Sequence, residues 1–268
     1  LGERVMSVVK SNTSRSLEVI GVAPMAGRGT RLGLAISKEL APLGSKGAVL
    51  SEIMLRRMWE AGIRSAVLTI ASTKQDIRTH YANSYSPDPD STDSLALFYA
   101  NADDSPNTPT SIDAAYESTR GKICALGFGD LLYRPCPGYR RALAMLKRGN
   151  ADVVLGLFPT DQAQAVDMVA FDANGRVRDI HIKTLIGERF AYTWSLAVWQ
   201  PSFTKFLRDW VAAAPAARDA KKEAYVGDVL LAAIDRGLRV DAVAVSTAKS
   251  LDAGTPETLA RAQSALFS

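Results

Sequence analysis

Short runs of consecutive apolar residues alternate along the chain with segments whose apolar residues recur at helical spacing. Leu17-Glu18-Val19-Ile20-Gly21-Val22-Ala23 is a run of the first kind and predicts a buried strand, leading straight into the glycine loop Ala26-Gly27-Arg28-Gly29-Thr30-Arg31. From Leu50 to Ala61, the positions of Ile53, Met54, Met58 and Ala61 predict a helix, stopped by Gly62 before a second strand at Ser65 to Ile70. A third strand, Lys122 to Leu126, precedes Gly127-Phe128-Gly129-Asp130. A helix from about Tyr139 to Lys147 then leads to a fourth strand, Ala151 to Phe158. Strands alternating with helices in this way predict an α/β fold, a single Rossmann-like domain with a mainly parallel sheet flanked by helices.

After Phe158 the pattern changes. Met168 to Phe171, the turn Asp172-Ala173-Asn174-Gly175 and Val177 to Ile182 predict a hairpin, which puts an antiparallel element beside the parallel core. Helices around Phe203 to Ala213 and Val226 to Arg236, a strand from Arg239 to Val245 and a last helix from Pro256 to Leu266 complete the chain. The stretch Ser84 to Asp113, rich in Asp, Pro, Ser, Thr and Asn, reads as largely loop around Leu95 to Tyr99. Residues 1–16 are expected to be a flexible tail and 17–268 one domain.

Composition narrows the function. With 268 residues, 47% hydrophobic and 22% charged, the chain can bury a sizeable core without disulfides or structural metal. Cys124 and Cys136, with His80 and His181, are too few for a disulfide scaffold, a zinc site or a histidine-rich metal centre. Cys124 lies in an apolar run and reads as a small buried hydrophobe. The net charge of +4 comes from scattered pairs such as Arg56-Arg57, Arg140-Arg141 and Lys147-Arg148, without the interleaved aromatics of a nucleic-acid surface. A small anionic ligand uses such charge locally. No apolar stretch approaches the ~20 residues that span a bilayer, and Leu1 to Ser16 has no signal-peptide core. The expectation is a cytoplasmic protein that binds neither nucleic acid nor membrane.

A glycine turn after a buried strand lets backbone N–H groups approach phosphate oxygens. The dinucleotide pattern fails at its third glycine, where Leu32 stands, and the Walker pattern fails as well. Present instead is Gly27-Arg28-Gly29-Thr30-Arg31-Leu32, followed by Ser37-Lys38-Glu39-Leu40 and Ala41-Pro42-Leu43. A guanidinium and an ammonium flanking a phosphate cradle suit a polyphosphate.

This arrangement resembles the sugar-phosphate nucleotidyltransferases (pyrophosphorylases), whose signature is Gly-x-Gly-Thr-Arg-Leu/Met, then Pro-Lys and Leu-Pro. Gly129-Asp130, the hairpin Phe171-Asp172 with Asn174-Gly175, Ile182-Lys183 and Leu251-Asp252-Ala253-Gly254-Thr255-Pro256 follow in the family's order, from about Val19 to Ala262. Ser72-Thr73 and Gln75-Asp76 look nearest to the glucose-1-phosphate thymidylyltransferase branch. The resemblance implies attack by an acceptor phosphate oxygen on the α-phosphorus of a nucleoside triphosphate, with loss of pyrophosphate. Such catalysis is mostly positioning and charge neutralisation, which needs no histidine or thiol.

By the same resemblance, Met25, Ala26, Gly27, Gly29, Thr30, Arg31, Asp103 and Asp130 bind the nucleotide. Arg31, Lys38 and Lys183 are the catalytic cations, the first two on the triphosphate and Lys183 on the acceptor phosphate. Asp130 and Asp252 hold Mg²⁺. Homo-oligomers are common in the family.

The chain departs from the family where the sugar is read. Asp167 stands for a glycine, Ile182 for the glutamate before the lysine, and Tyr225 for a second glutamate; the Asn-x-Gly-Ile-Tyr stretch is Tyr192-Thr193-Trp194-Ser195-Leu196. Losing carboxylates that bond hydroxyls redirects specificity, so the expected acceptor is a non-standard sugar 1-phosphate, bound by Asp167, Lys183, Trp194 and Tyr225. An alternative is a cytidylyltransferase for an amino-alcohol phosphate or phosphonate such as phosphocholine, its cationic head group held by aromatics and a carboxylate. Another is a nucleotide-binding homologue without turnover. Near the base, Asp103 or Asp104 replaces the usual glutamine, and a carboxylate fits the donor-bearing edges of guanine or cytosine.

Overall fold

Strand β1 (Val19–Pro24) forms where the first apolar run predicts it, in a computed structural model that describes residues 17–27, 29, 32–44, 47–88, 90–160, 164–183, 191–213 and 223–265. The tail expected at residues 1–16 lies outside them. After one 3-10 turn at Lys38–Leu40 come the ribbon strands β2 (Pro42–Leu43) and β3 (Ala48–Val49), then α1 (Glu52–Glu60) and β4 (Ser65–Ile70). Next are α2 (Gln75–Tyr81), β5 (Ser84–Tyr85), β6 (Leu95–Asn101), α3 (Thr108–Asp113), α4 (Tyr116–Thr119), β7 (Ile123–Leu126), β8 (Leu131–Leu132) and α5 (Gly138–Arg148). The second half holds β9 (Val153–Pro159), the hairpin of β10 (Asp167–Phe171) and β11 (Val177–Ile182), and β12 (Tyr192–Trp199). It ends with α6 (Pro201–Ala212), α7 (Val226–Asp235), β13 (Val240–Ala244), β14 (Leu251–Asp252) and α8 (Pro256–Ala265).

The segment read as loop between Ser84 and Asp113 is more regular than expected. It contains β5, β6 and α3, the last started by the Asn107 side chain accepting from the Thr110 amide, with proline in its first turn.

Ten strands form one mixed sheet, ordered β11-β10-β12-β7-β1-β4-β6-β5, with β9 on the other edge of β12 and β13 beside β9. The pairs β1/β4, β1/β7, β4/β6 and β9/β13 are parallel; β12 runs antiparallel to β7, β9 and β10. Alternate residues of β1 enter two cores on opposite faces of the sheet: Ala23 joins Met54, Met58 and Ile77, while Ile20 and Val22 join Phe203, Val229 and Leu230. Gly21 sits where α1 crosses closely, because a Cβ there would lie 2.7 Å from the Met58 sulfur and 2.8 Å from the Ala66 Cβ. Cys124 is buried as expected, and burial pushes its thiol up to about 11, which removes it from chemistry near neutrality.

One consequence matters for function. The parallel strands β1, β4, β6 and β7 all end at the same edge of the sheet, so the loops that follow them converge, as binding sites of open α/β sheets do. No helix among the described residues is long and apolar enough to cross a membrane.

Candidate functional site

The converging loops enclose a cleft of about 890 Å³, lined among others by Ala26, Gly27, Lys38, Thr73, Asp103 and Asp130. Its volume lies within the roughly 300–1,000 Å³ of small-ligand sites. At its floor, the space where a Gly27 Cβ would stand is open. Gly29 takes a left-handed backbone (φ +62°) that brings it against the Lys38 stem. Thr30 and Arg31 fall outside the described residues. Met25 supports the loop from beneath: it is fully buried, its amide donates to the Thr69 carbonyl at 2.8 Å, and its carbonyl accepts from Lys74 Nζ at 2.8 Å.

Lys74 is the residue that sequence reading missed. Its ammonium also meets Glu39 Oε2 at 2.7 Å, and both side chains are buried. Burial pushes the Glu39 carboxyl above the ordinary range, against the pull of Lys74 and Lys38. The Glu39 carbonyl accepts from Ser51 Oγ at 2.8 Å, and that hydroxyl is bonded to Tyr81. Asp76 in turn accepts from the Ser37 amide at 2.6 Å and the Ser37 hydroxyl at 2.7 Å. Together these bonds fix the turn that presents Lys38 to the cleft.

Lys38 Nζ is paired with Asp130 Oδ2. Asp130 stands one residue before β8, and β14 pairs with β8 so that Asp252 lies opposite Leu131, with the Ala253 amide donating to the Asp130 carbonyl at 2.9 Å. Two positions 122 residues apart by number are thus brought onto neighbouring strands. Burial alone would depress the Lys38 ammonium, but Asp130, then Glu39 and Asp252, hold its pKa above the ordinary lysine value. The ammonium pairs with one of these carboxylates and feels the charge of the other. Among the described residues no three metal-ligating side chains cluster. This donor set fits Mg²⁺, which takes one or two carboxylates and completes its shell with phosphate and water.

Asp103 lines the cleft at the end of β6, with one carboxylate oxygen accepting from the Ser72 amide at 2.6 Å and the other from Asn101 Nδ2 at 3.0 Å. These bonds, the Ser72 amide first, hold its pKa below the usual carboxylate range. Its first task is therefore to tie the β6 loop to the β4 loop.

The cleft ends at Phe128 and Glu223, and the residues expected to bind the acceptor gather behind them. The Phe128 and Trp194 rings are in contact at 5.7 Å between centroids, and the Tyr225 hydroxyl donates to Glu223 at 3.0 Å. Asp167 opens β10 opposite Ile182 of β11 and lies against the start of α7, where a Cβ on Gly227 would be 2.8 Å from its Oδ2. Burial pushes the Asp167 carboxyl up to about 6, with Lys183 and Trp194 pulling it down and Asp228 adding to the rise. The Trp194 indole N–H faces that carboxyl but falls short of hydrogen-bond geometry, and it is buried with no acceptor. Lys183 stands one residue past β11. Its backbone is left-handed at φ +46° and its ammonium lies 3.9 Å from the centroid of the Tyr225 ring. Such a conformation is uncommon for a residue with a side chain and tends to occur at functional sites.

No family model matches the sequence, and neither does any curated protein. Solved structures do match the fold. A protein described as a glucose-1-phosphate thymidylyltransferase from Bacillus anthracis, in complex with sucrose, superposes with a TM-score of 0.75 at 13% identity, over 92% of this chain and 94% of that one. UDP-glucose pyrophosphorylase complexed with UDP-glucose gives 0.75 at 14% identity, over 94% and 98%. The UTP-bound UGPase of Acinetobacter baumannii gives 0.74 at 15% identity, over 93% of each chain. The architecture is that of the sugar-phosphate nucleotidyltransferases, as the sequence resemblance implied.

Proposed function

We propose that the chain transfers a nucleoside monophosphate from a nucleoside triphosphate to a phosphorylated small acceptor, releasing pyrophosphate. The observation that carries this reading is the convergence of Gly27, Lys38 and Asp130 in one cleft at the carboxyl edge of the sheet, with Asp252 on the strand paired to β8 next to Asp130. The fold neighbours solved with UTP and UDP-glucose support it. An acceptor phosphate oxygen forms the new bond to the α-phosphorus while the bond to the bridging oxygen breaks and its electrons leave with pyrophosphate. Gly27 and Gly29 leave room for the phosphates, Lys38 neutralises charge on them, and Lys183 holds the acceptor phosphate against its like-charged target. Asp130 and Asp252 would hold Mg²⁺, which supplies charge neutralisation at the phosphates.

A sugar 1-phosphate is the first reading for the acceptor. A phosphorylated amino alcohol is the second, favoured by one arrangement: a buried carboxylate, Asp167, beside the Trp194 and Phe128 rings suits an amine or quaternary ammonium, while Lys183 takes the phosphate. Pyrophosphate release, screened with Mg²⁺ over the nucleoside triphosphates and panels of sugar and amino-alcohol phosphates, tests both. Release with one sugar phosphate supports the first reading, and release with an amino-alcohol phosphate the second. No release with any pair at high enzyme concentration overturns the assignment.

A further inference from the structure

A second cavity, of about 580 Å³, lies apart from the cleft and shares no lining residue with it. It is formed by α5 along most of its length, the β10–β11 turn and β13 with the residue before it. Arg140, Arg141, Arg148 and Arg239 line it with Asn174, and Asp241 is the only acid among its lining residues. That carboxylate is already committed: it is buried and accepts from Arg239 Nε at 3.0 Å and from Arg176 Nε at 2.9 Å. Two other guanidiniums are held by one edge on backbone carbonyls, Arg141 Nη1 on Ala244 at 3.3 Å and Arg148 Nε on Ala144 at 3.1 Å. Among the described residues, the remaining N–H groups of these forks have no partner. Met145 and Val243 add an apolar patch to the wall.

The geometry points to a second anion site, one that takes a small molecule carrying two linked phosphates. Several anchored guanidiniums around one cavity focus positive potential, and their planar forks match phosphate oxygens two at a time. A single phosphate carries too few oxygens to meet the α5 guanidiniums and Arg239 two at a time, whereas a diphosphate presents more, and its uncharged body can rest on Met145 and Val243. None of this depends on the cleft, so the inference stands or falls independently of nucleotidyl transfer.

Equilibrium dialysis of labelled inorganic pyrophosphate against the full chain tests it. The expected result is a component of pyrophosphate binding that is lost in R140E/R148E, with orthophosphate binding there at least about tenfold more weakly. Both arginines are exposed, so the fold should survive, as circular dichroism would report; if it does not, the neutral R140Q/R148Q pair is measured instead. K205E, a reversal on exposed α6, controls for net charge. Three results would overturn the site: an R140E/R148E isotherm that superposes on the wild type, an equal loss in K205E, or orthophosphate binding as tightly as pyrophosphate.

Discussion

Lys38 and Asp130, 92 residues apart in sequence, form an ion pair across the cleft, joining the turn after the glycine loop to the loop after β7. The pair sets the charge of the cleft. A lysine placed by a turn that Asp76, Glu39 and Lys74 fix from three sides is positioned before any nucleotide arrives, and preorganised charge of this kind is the largest usual contribution to such catalysis.

Replacing Lys38 by Met is therefore expected to lower kcat for pyrophosphate release about 10²–10³-fold, the usual cost of losing one preorganised charge-stabilising group. The thermal midpoint, measured alongside, should change little, because Lys38 is not part of either large core. A kcat within threefold of the wild type would remove Lys38 from the catalytic machinery.

Asp252 bonds its own turn, accepting from the Gly254 amide at 2.7 Å, and stands beside Asp130 across a two-residue ladder. For Asp252→Asn, Mn²⁺ binding in the presence of nucleotide, followed by electron paramagnetic resonance, should weaken by at least the roughly 10–100-fold that loss of outer-sphere support alone costs. Unchanged Mn²⁺ affinity would show that the metal, if bound, does not use this carboxylate.

Much of the scaffold was legible because burial writes itself into consecutive residues. The run Val19 to Ala23 and the turn Asp172-Ala173-Asn174-Gly175 each allow few conformations, and both appear where expected. The cluster proposed to hold the acceptor showed only as departures from a family pattern at Asp167, Trp194 and Tyr225; that these gather near Lys183 depends on β10, β11, β12 and the start of α7 coming together. Lys74 and Glu39 were invisible, since a charged residue in sequence looks solvated and nothing local reveals a buried partner 35 residues away. Helix α3 was masked by polar residues that serve as its cap, and the left-handed Lys183 has no sequence signal at all.

The Lys74–Glu39 pair makes its own prediction. Lys74→Met leaves a carboxylate buried without its partner and should destabilise the chain by about 3–5 kcal/mol in urea unfolding. Adding Glu39→Gln should restore part of that loss, because the uncompensated charge is gone. If the double variant is no more stable than Lys74→Met, the two residues do not act as a pair.

Gly227 is the second residue of α7, and its missing Cβ is what lets Asp167 and Ile182 approach. In Gly227→Ala the new methyl would lie 2.8 Å from Asp167 Oδ2 and 2.9 Å from Ile182 Cγ1, so the carboxylate must move. The expected outcome is an acceptor KM raised about tenfold or more, since displacements of an ångström commonly cost up to about 10²-fold, with the KM for nucleotide unchanged. Equal changes in both constants would mean a global distortion instead.

Asp167 gives the pH dependence. Its carboxyl is pushed up to about 6 in the folded chain by burial, against an ordinary value of 3.8. A raised folded pKa means that its contribution to stability is fully present below about pH 4 and is lost as pH rises through 6; above that, the ionised buried group costs at most about 3 kcal/mol. Asp167→Asn should then match the wild type in urea unfolding at pH 4 and exceed it at pH 7.5. The role of the charge on Asp167 depends on the acceptor's chemistry. For a cationic head group, the wild-type acceptor KM should rise as pH falls through 6, as the attracting charge is neutralised, and Asp167→Asn should show a high KM at every pH. For a neutral sugar ring, which can bond the protonated and the ionised carboxyl alike, the ratio of the wild-type KM to that of Asp167→Asn should stay nearly flat across that range, since the acceptor phosphate, with a second pKa of about 6, titrates alike for both proteins. Measuring KM for the active acceptor between pH 5 and 8 in both proteins separates the two readings of the acceptor directly, because only the first requires the negative charge.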